Sequence, residues 1–143
     1  MIRFNIKIDD KEIYKKLKHQ YASAEVGFFE GEKYEDGTPV AAVAARNEFG
    51  GGKTPPRPFM RTCMQNRRNV WRKVVQNNLA KEVDARKTLA ALCEQMVLDI
   101  SDYVRIWTSP PNAPDTIKKK GFNDPLVDTG RMMNSVDWRG DWL

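Results

Sequence analysis

Gly50-Gly51-Gly52-Lys53-Thr54 holds the residue types that cradle a nucleotide phosphate: glycine-freed backbone N–H groups, an ammonium and a hydroxyl. Its surroundings exclude that chemistry. A phosphate loop needs a glycine five residues ahead of its Gly-Lys-Thr, and Asn47 stands there. It also needs a preceding strand and an immediate helix, whereas residues 38–48 read as a helix and Pro55-Pro56 follow Thr54. What remains is a helix stopped by glycine, a flexible stretch over 50–57, and a proline-stiffened approach to a second helix. Two readings of Gly50, Gly51, Gly52, Lys53 and Arg57 stay open: a plain exposed loop, or an arm that orders against a partner subunit.

Asp128-Thr129-Gly130 after Leu126-Val127 has the residues of an aspartic-protease active-site loop. That chemistry needs two aspartates sharing one proton, so a single copy would require a homodimer. It also needs a mostly β chain with a second hydrophobic–glycine segment downstream, yet only 13 residues follow Gly130. The preference of Asp for the N-cap position makes Asp128 a structural cap of a short helix through Asn134. No serine or cysteine has a base, because His19 is the only imidazole and sits on a lysine-rich helix. Glu30, Glu32, Glu35 and Asp36 lack calcium-loop spacing and read as a solvated turn. Cys63 and Cys93 fall on apolar helix faces, as reduced core residues, and no ligand spacing suggests a metal. No catalytic residue, cofactor or metal is expected.

The elements that hold these residues follow from periodicity. Ile2, Phe4, Ile6 and Ile8 alternate with polar residues as a half-buried strand does, and Ala24–Phe29 is the next strand. Between them, Asp9 or Asp10 caps a short helix bearing Ile13, Leu17 and Tyr21. Thr38 as N-cap and Pro39 at the first helical position start a helix that Gly50 ends. After Pro58 a helix runs to about Gln76, with Met60, Cys63, Met64, Trp71 and Val74 on its apolar stripe and Arg67 in the middle of it. Burial of an unpaired arginine is too costly, so Arg67 must reach water, a carboxylate or a subunit contact. Arg61, Gln65, Arg68 and Arg72 form another face, solvated or against an acidic partner.

Asn77-Asn78 weakens that helix, and another resumes near Asp84. Its stripe is Leu89, Leu92, Cys93, Met96, Ile100, Tyr103, Val104 and Trp107. Residues 108–125 carry four prolines and Lys118-Lys119-Lys120, and read as an extended connection whose lysines are either solvated or at a partner contact. Residues 135–139 form a last strand. The expected class is α+β: one domain over 1–143, with a small mixed or antiparallel sheet including both terminal strands, packed on two long helices and shorter ones. A chain of 143 residues is of ordinary single-domain size, and no apolar run is long enough to span a bilayer. The N-terminus lacks a signal-peptide core, so the protein is expected to remain where it is made. The net charge of +5 allows nucleic-acid contact without a recognisable nucleic-acid motif.

Four motifs occur in order: a helix ending Glu48-Phe49-Gly50, then Pro55-Pro56-Arg57-Pro58-Phe59, then Pro110-Pro111 through Pro114 to Thr116-Ile117, then Pro125-Leu126-Val127-Asp128-Thr129-Gly130-Arg131. In that order they resemble the neck and tail-completion proteins of long-tailed bacteriophages and prophages, tail terminators included. Ala41–Arg61 and Pro110–Val136, about a third of the chain, carry the resemblance. It implies a non-enzymatic virion part of the tail and neck, assembled in the host bacterial cytoplasm. Copies would form a ring, sixfold to match the tail tube, between the tail tube protein and the head-connector or neck proteins. No membrane is involved, and the basic charge is compatible with non-specific proximity to packaged DNA. The alternatives are a neighbouring neck or tail-morphogenesis protein and, outside the class, a basic nucleic-acid-binding module.

Overall fold

A computed structural model describes residues 11–143; the strand expected over Ile2–Ile8 and the caps Asp9 and Asp10 lie outside them. Among the described residues the elements are α1 (Lys11–Leu17), β1 (Ala24–Phe28), α2 (Val40–Phe49), α3 (Phe59–Lys81), α4 (Ala85–Ile106), α5 (Pro114–Lys120), α6 (Arg131–Asn134) and β2 (Val136–Gly140). The near-terminal strands β1 and β2 pair in a two-stranded antiparallel sheet packed on helices, so the class is α+β. The described residues divide into two compact units, one of residues 11–27, 66–98 and 137–143, the other of 28–65 and 99–136.

In the first unit the buried apolar side chains are Val26 of β1, Trp71, Val75 and Leu79 of α3, and Leu92, Cys93 and Met96 of α4. Asn78 does not end α3, because its amide donates back to the Val74 carbonyl at 2.8 Å and the helix runs on to Lys81. Asp84 then caps α4, its carboxylate accepting the Lys87 N–H at 2.9 Å. Gln20 clips this turn from the far side. Its amide nitrogen donates to the Val83 carbonyl at 3.0 Å and its oxygen accepts the Ala85 N–H at 2.7 Å. The sheet is extended by Asp141, whose N–H donates to the Ser23 carbonyl at 3.0 Å.

In the second unit Val40, Ala44, Phe59, Cys63, Ile100, Val104, Leu126, Met132 and Val136 are buried. Phe28 meets Phe59 edge-on at 6.0 Å between ring centroids, which fixes the first turn of α3. The buried row of α3 steps by four residues and so drifts across the expected stripe, keeping Cys63 and Trp71 in common with it. Phe59, Val75 and Leu79 are buried with Cys63 and Trp71, while Met60, Met64 and Val74 are only half-buried. Arg67 lies on this stripe between Cys63 and Trp71 and is half-buried.

Three expected starts and stops are corrected. α2 opens at Val40 with Pro39 in the cap position and no side-chain cap, because Thr38 is held in a turn by the Asp36 carboxylate at 2.9 Å. Residues 108–125 are not extended throughout: α5 occupies 114–120, with Pro114 at its first position. Gly121, at φ +82°, closes α5 by donating its N–H to the Ile117 carbonyl at 2.7 Å. Asp128 caps nothing, since α6 starts at Arg131 with Gly130 in the cap position and no side-chain cap.

Candidate functional site

The candidate site lies in the second unit and is built where α2 ends. Gly50 stands at φ +77°, ψ 171°, a backbone region essentially reserved for glycine. A Cβ there would sit 3.1 Å from the Pro56 ring and backbone nitrogen. The chain then closes a tight turn instead of an open loop, Gly51 and Thr54 exchanging both N–H···O bonds at 3.0 Å. Gly52 at φ +58° and the exposed Lys53 form its tip, the glycine-first arrangement a type II′ turn requires.

Pro58 precedes α3 and has no side chain able to cap it. Glu48, three-dimensionally adjacent at the end of α2, does so. Its carboxylate accepts the N–H of Met60 at 2.9 Å and of Arg61 at 3.2 Å, and the Arg61 Nε at 2.8 Å. Arg61 also donates to the Glu48 carbonyl at 2.9 Å and lies over the Phe49 ring at 5.2 Å. Glu48 is therefore buried, at 4% exposure, yet every lone-pair direction it needs is occupied by a helix N-terminus and a cation.

Arg57, which the sequence places in an exposed loop or in an arm against a partner subunit, is instead an internal clamp, 5% exposed. Its Nε donates to the Pro110 carbonyl at 2.9 Å, one Nη to the Pro111 carbonyl at 3.0 Å and the other to Asn47 Oδ1 at 3.1 Å. Its backbone N–H donates to the Asn47 carbonyl. All these acceptors are neutral, so burial lowers the guanidinium pKa from its usual value. Only the planar fork of arginine reaches three acceptors on two segments at once.

Beside the clamp lies a cleft of about 500 Å³, lined among others by Tyr34, Asp36, Asn47, Asn112, Lys120, Asp128 and Arg131. Lys118 and Lys119 are exposed on α5, while Lys120 turns inward. Lys120 donates to the carbonyls of Asp124, at 3.1 Å, and Val127, and lies 5.4 Å from the Phe122 ring centre. Burial lowers its pKa, Asp128 opposing and Arg57 adding to that shift. Burial also raises the Tyr34 phenol, helped by Asp128 and opposed by Arg131. Asp36 is held below the usual carboxylate range by the Thr38 N–H. Asn112, 8% exposed, donates its backbone N–H to Asn123 Oδ1 at 3.0 Å, while its side-chain nitrogen has no hydrogen-bond partner.

The second unit thus brings together Gly50–Lys53, Arg57, Lys118–Lys120 and Asp128, and leaves Arg67 in the first. Among the described residues no group of three His, Cys, Asp or Glu could hold a metal ion, and no helix is long and apolar enough to cross a membrane. His19 is exposed, and Cys63 and Cys93 are buried and form no disulfide. Asn47, Glu48 and Asn112 carry the geometry here and were not singled out from the sequence. The signal for Glu48 was the proline in front of α3, which leaves a helix start in need of a borrowed acceptor. Comparison with known proteins finds no family model, no curated protein and no solved structure that matches this chain.

Proposed function

We propose that this chain is a structural virion protein of a tailed phage or prophage. In this reading it acts in tail completion at the head–tail junction by assembling as a ring that caps the tail tube. One observation carries the reading beyond motif order: the four motif segments, distant in sequence, are bonded to one another inside one unit. Glu48 of the first motif caps the helix begun by the second, and Arg57 of the second grips Pro110 and Pro111 of the third. Lys120, just past the third, holds the Val127 carbonyl of the fourth. The motif segments are therefore bonded into a single device, and the end of α2 displays Phe49 on it at 68% exposure. A large aromatic ring left in water, with Arg61 stacked on it, has the make-up of an interface anchor.

The ring is the mechanism. A head-to-tail contact that closes on itself generates cyclic symmetry without further instruction. Electron microscopy and light scattering of the purified protein, alone and with tail tubes, test it. Six copies of a 16.5 kDa chain give roughly 100 kDa. The expected result is closed rings that decorate tube ends, abolished by Phe49→Ser with the melting of the protomer unchanged. A chain that stays monomeric at every concentration and ignores tube ends would sink the reading.

A further inference from the structure

From Phe49 to Lys81 the chain has eight Lys and Arg and no Asp or Glu. Most of these residues lie in α3, so a long helix is built without one carboxylate to offset its cations. Within the first unit the consequence is a face. Between 66 and 77 every exposed position is Asn, Gln, Arg or Lys: Asn66, Arg68, Asn69, Arg72, Lys73, Gln76 and Asn77. At 100° per residue they fill about half of the helix circumference, with Arg68, Arg72 and Gln76 in one row and Asn69 and Lys73 in the next. The other half carries the buried Trp71 and Val75. The ion pairs of the described residues, such as Lys87 with Glu82 and Arg105 with Asp102, leave Arg68, Arg72 and Lys73 without a carboxylate partner.

We infer that this face of α3 binds the phosphate backbone of nucleic acid, without reading its sequence. Two properties favour that occupant over an acidic protein. A protein interface is centred on apolar or aromatic anchors, and this face exposes none between 66 and 77. Nucleic-acid interfaces are polar and strongly positive, and their contacts to phosphate come from Arg, Lys, Asn and Gln. The amides between the cations here are of that kind. From Arg68 to Asn77 the face extends about 14 Å, along which duplex DNA presents about eight phosphate charges. The inference does not rest on the virion reading, and ring formation and DNA binding are measured separately.

The test is fluorescence anisotropy of the full chain with a labelled duplex of about 20 base pairs, from about 50 to 200 mM KCl. Binding should weaken as salt rises, with a log–log slope to which each neutralised phosphate contributes about −0.9. Replacing Arg68, Arg72 and Lys73 together by Gln should remove most of that slope and weaken binding at low salt by more than tenfold. Circular dichroism melting should be unchanged. Should the triple variant lose its fold, Arg68→Gln and Arg72→Gln alone should each lower the slope by about 0.9. Lys118→Gln with Lys119→Gln should leave slope and affinity as they are. Equal weakening by that control pair would reduce the effect to overall charge and overturn the inference. So would a wild-type chain that ignores DNA at low salt, or one that binds poly-glutamate in its place, which would make the occupant an acidic protein.

Discussion

Two carboxylates at the candidate site have opposite energetic roles, and neither was visible from residue type alone. Asp128 stands in the best cap context of the sequence and is exposed, while Glu48 stands in none and caps α3 from the neighbouring helix. Glu48→Ala leaves two N–H groups of a helix start without acceptors, so a loss of about 2–3 kcal/mol is expected in denaturant unfolding. Asp128→Ala should cost less than about 0.5 kcal/mol, as exposed substitutions do. A cost near 1 kcal/mol for Asp128, rescued by Asn, would restore the cap. The phenol of Tyr34 supplies a third measurement. Its pKa is raised above 10.0 by burial and then by Asp128. The folded state therefore holds this proton more tightly than the unfolded chain does. Tyr34 contributes stability present below the unfolded value and lost as pH rises through the folded one. Phenolate absorbance should show a late-titrating component that disappears in Tyr34→Phe, and Asp128→Asn should move it back towards 10.0. A Tyr34 titration left in place by Asp128→Asn would remove Asp128 from the phenol's surroundings. Sequence could name Asp128 as polar and well placed, but which carboxylate meets a helix start depends on where two distant segments pack.

Elements were legible where one strong local signal decided them. The stripe of α4 from Leu92 to Val104 is buried as its period requires, and Asp84 caps it in the ordinary way. β1 and β2 follow from short alternating segments. Signals failed where two local preferences competed. Asn77-Asn78 disfavours a helix in isolation, yet packing of Val75 and Leu79 carries α3 through it, a tertiary override of propensity. Four prolines make residues 108–125 read as extended, although Pro114 at a first helical position, with Gly121 seven residues on, starts a helix. The glycine turn separates such signals experimentally. Gly50→Ala places a side chain in a backbone region reserved for glycine and against Pro56, so about 2 kcal/mol should be lost. Gly52→Ala meets only the strain of a positive φ at the open tip of the turn, about 1 kcal/mol, since nothing lies within 4 Å of its Cβ position. Thermal or urea unfolding of the two variants measures the difference. Equal losses would show that the close approach of Pro56 adds nothing.

At the scale of the molecule, α3 and α4 each give one part to one unit and one part to the other, so neither unit has a complete set of helices of its own. Helix formation is cooperative along the chain, because each added residue extends a ladder already nucleated. Opening either unit must fray both long helices, and the two units are expected to unfold together. Two buried native thiols report on this without an introduced cysteine. Cys63 lies on α3 in the second unit, fully buried, and Cys93 on α4 in the first, 3% exposed. Burial, with Glu94 adding to it, pushes the Cys93 thiol up to about 11, so the native thiolate is scarce near pH 8, on the order of one in a thousand. Modification at that pH therefore counts molecules that have opened. In Cys63→Ser and Cys93→Ser variants, each with one thiol left, labelling by an aromatic disulfide should give the same urea midpoint and the same slope. A Cys93 that reacts at urea concentrations where Cys63 remains protected, by more than about 1 kcal/mol of opening free energy, would make the first unit an independent folding unit. Cooperativity would then have to break inside α3, between residues 65 and 66, and inside α4, between 98 and 99, where each helix is continuous.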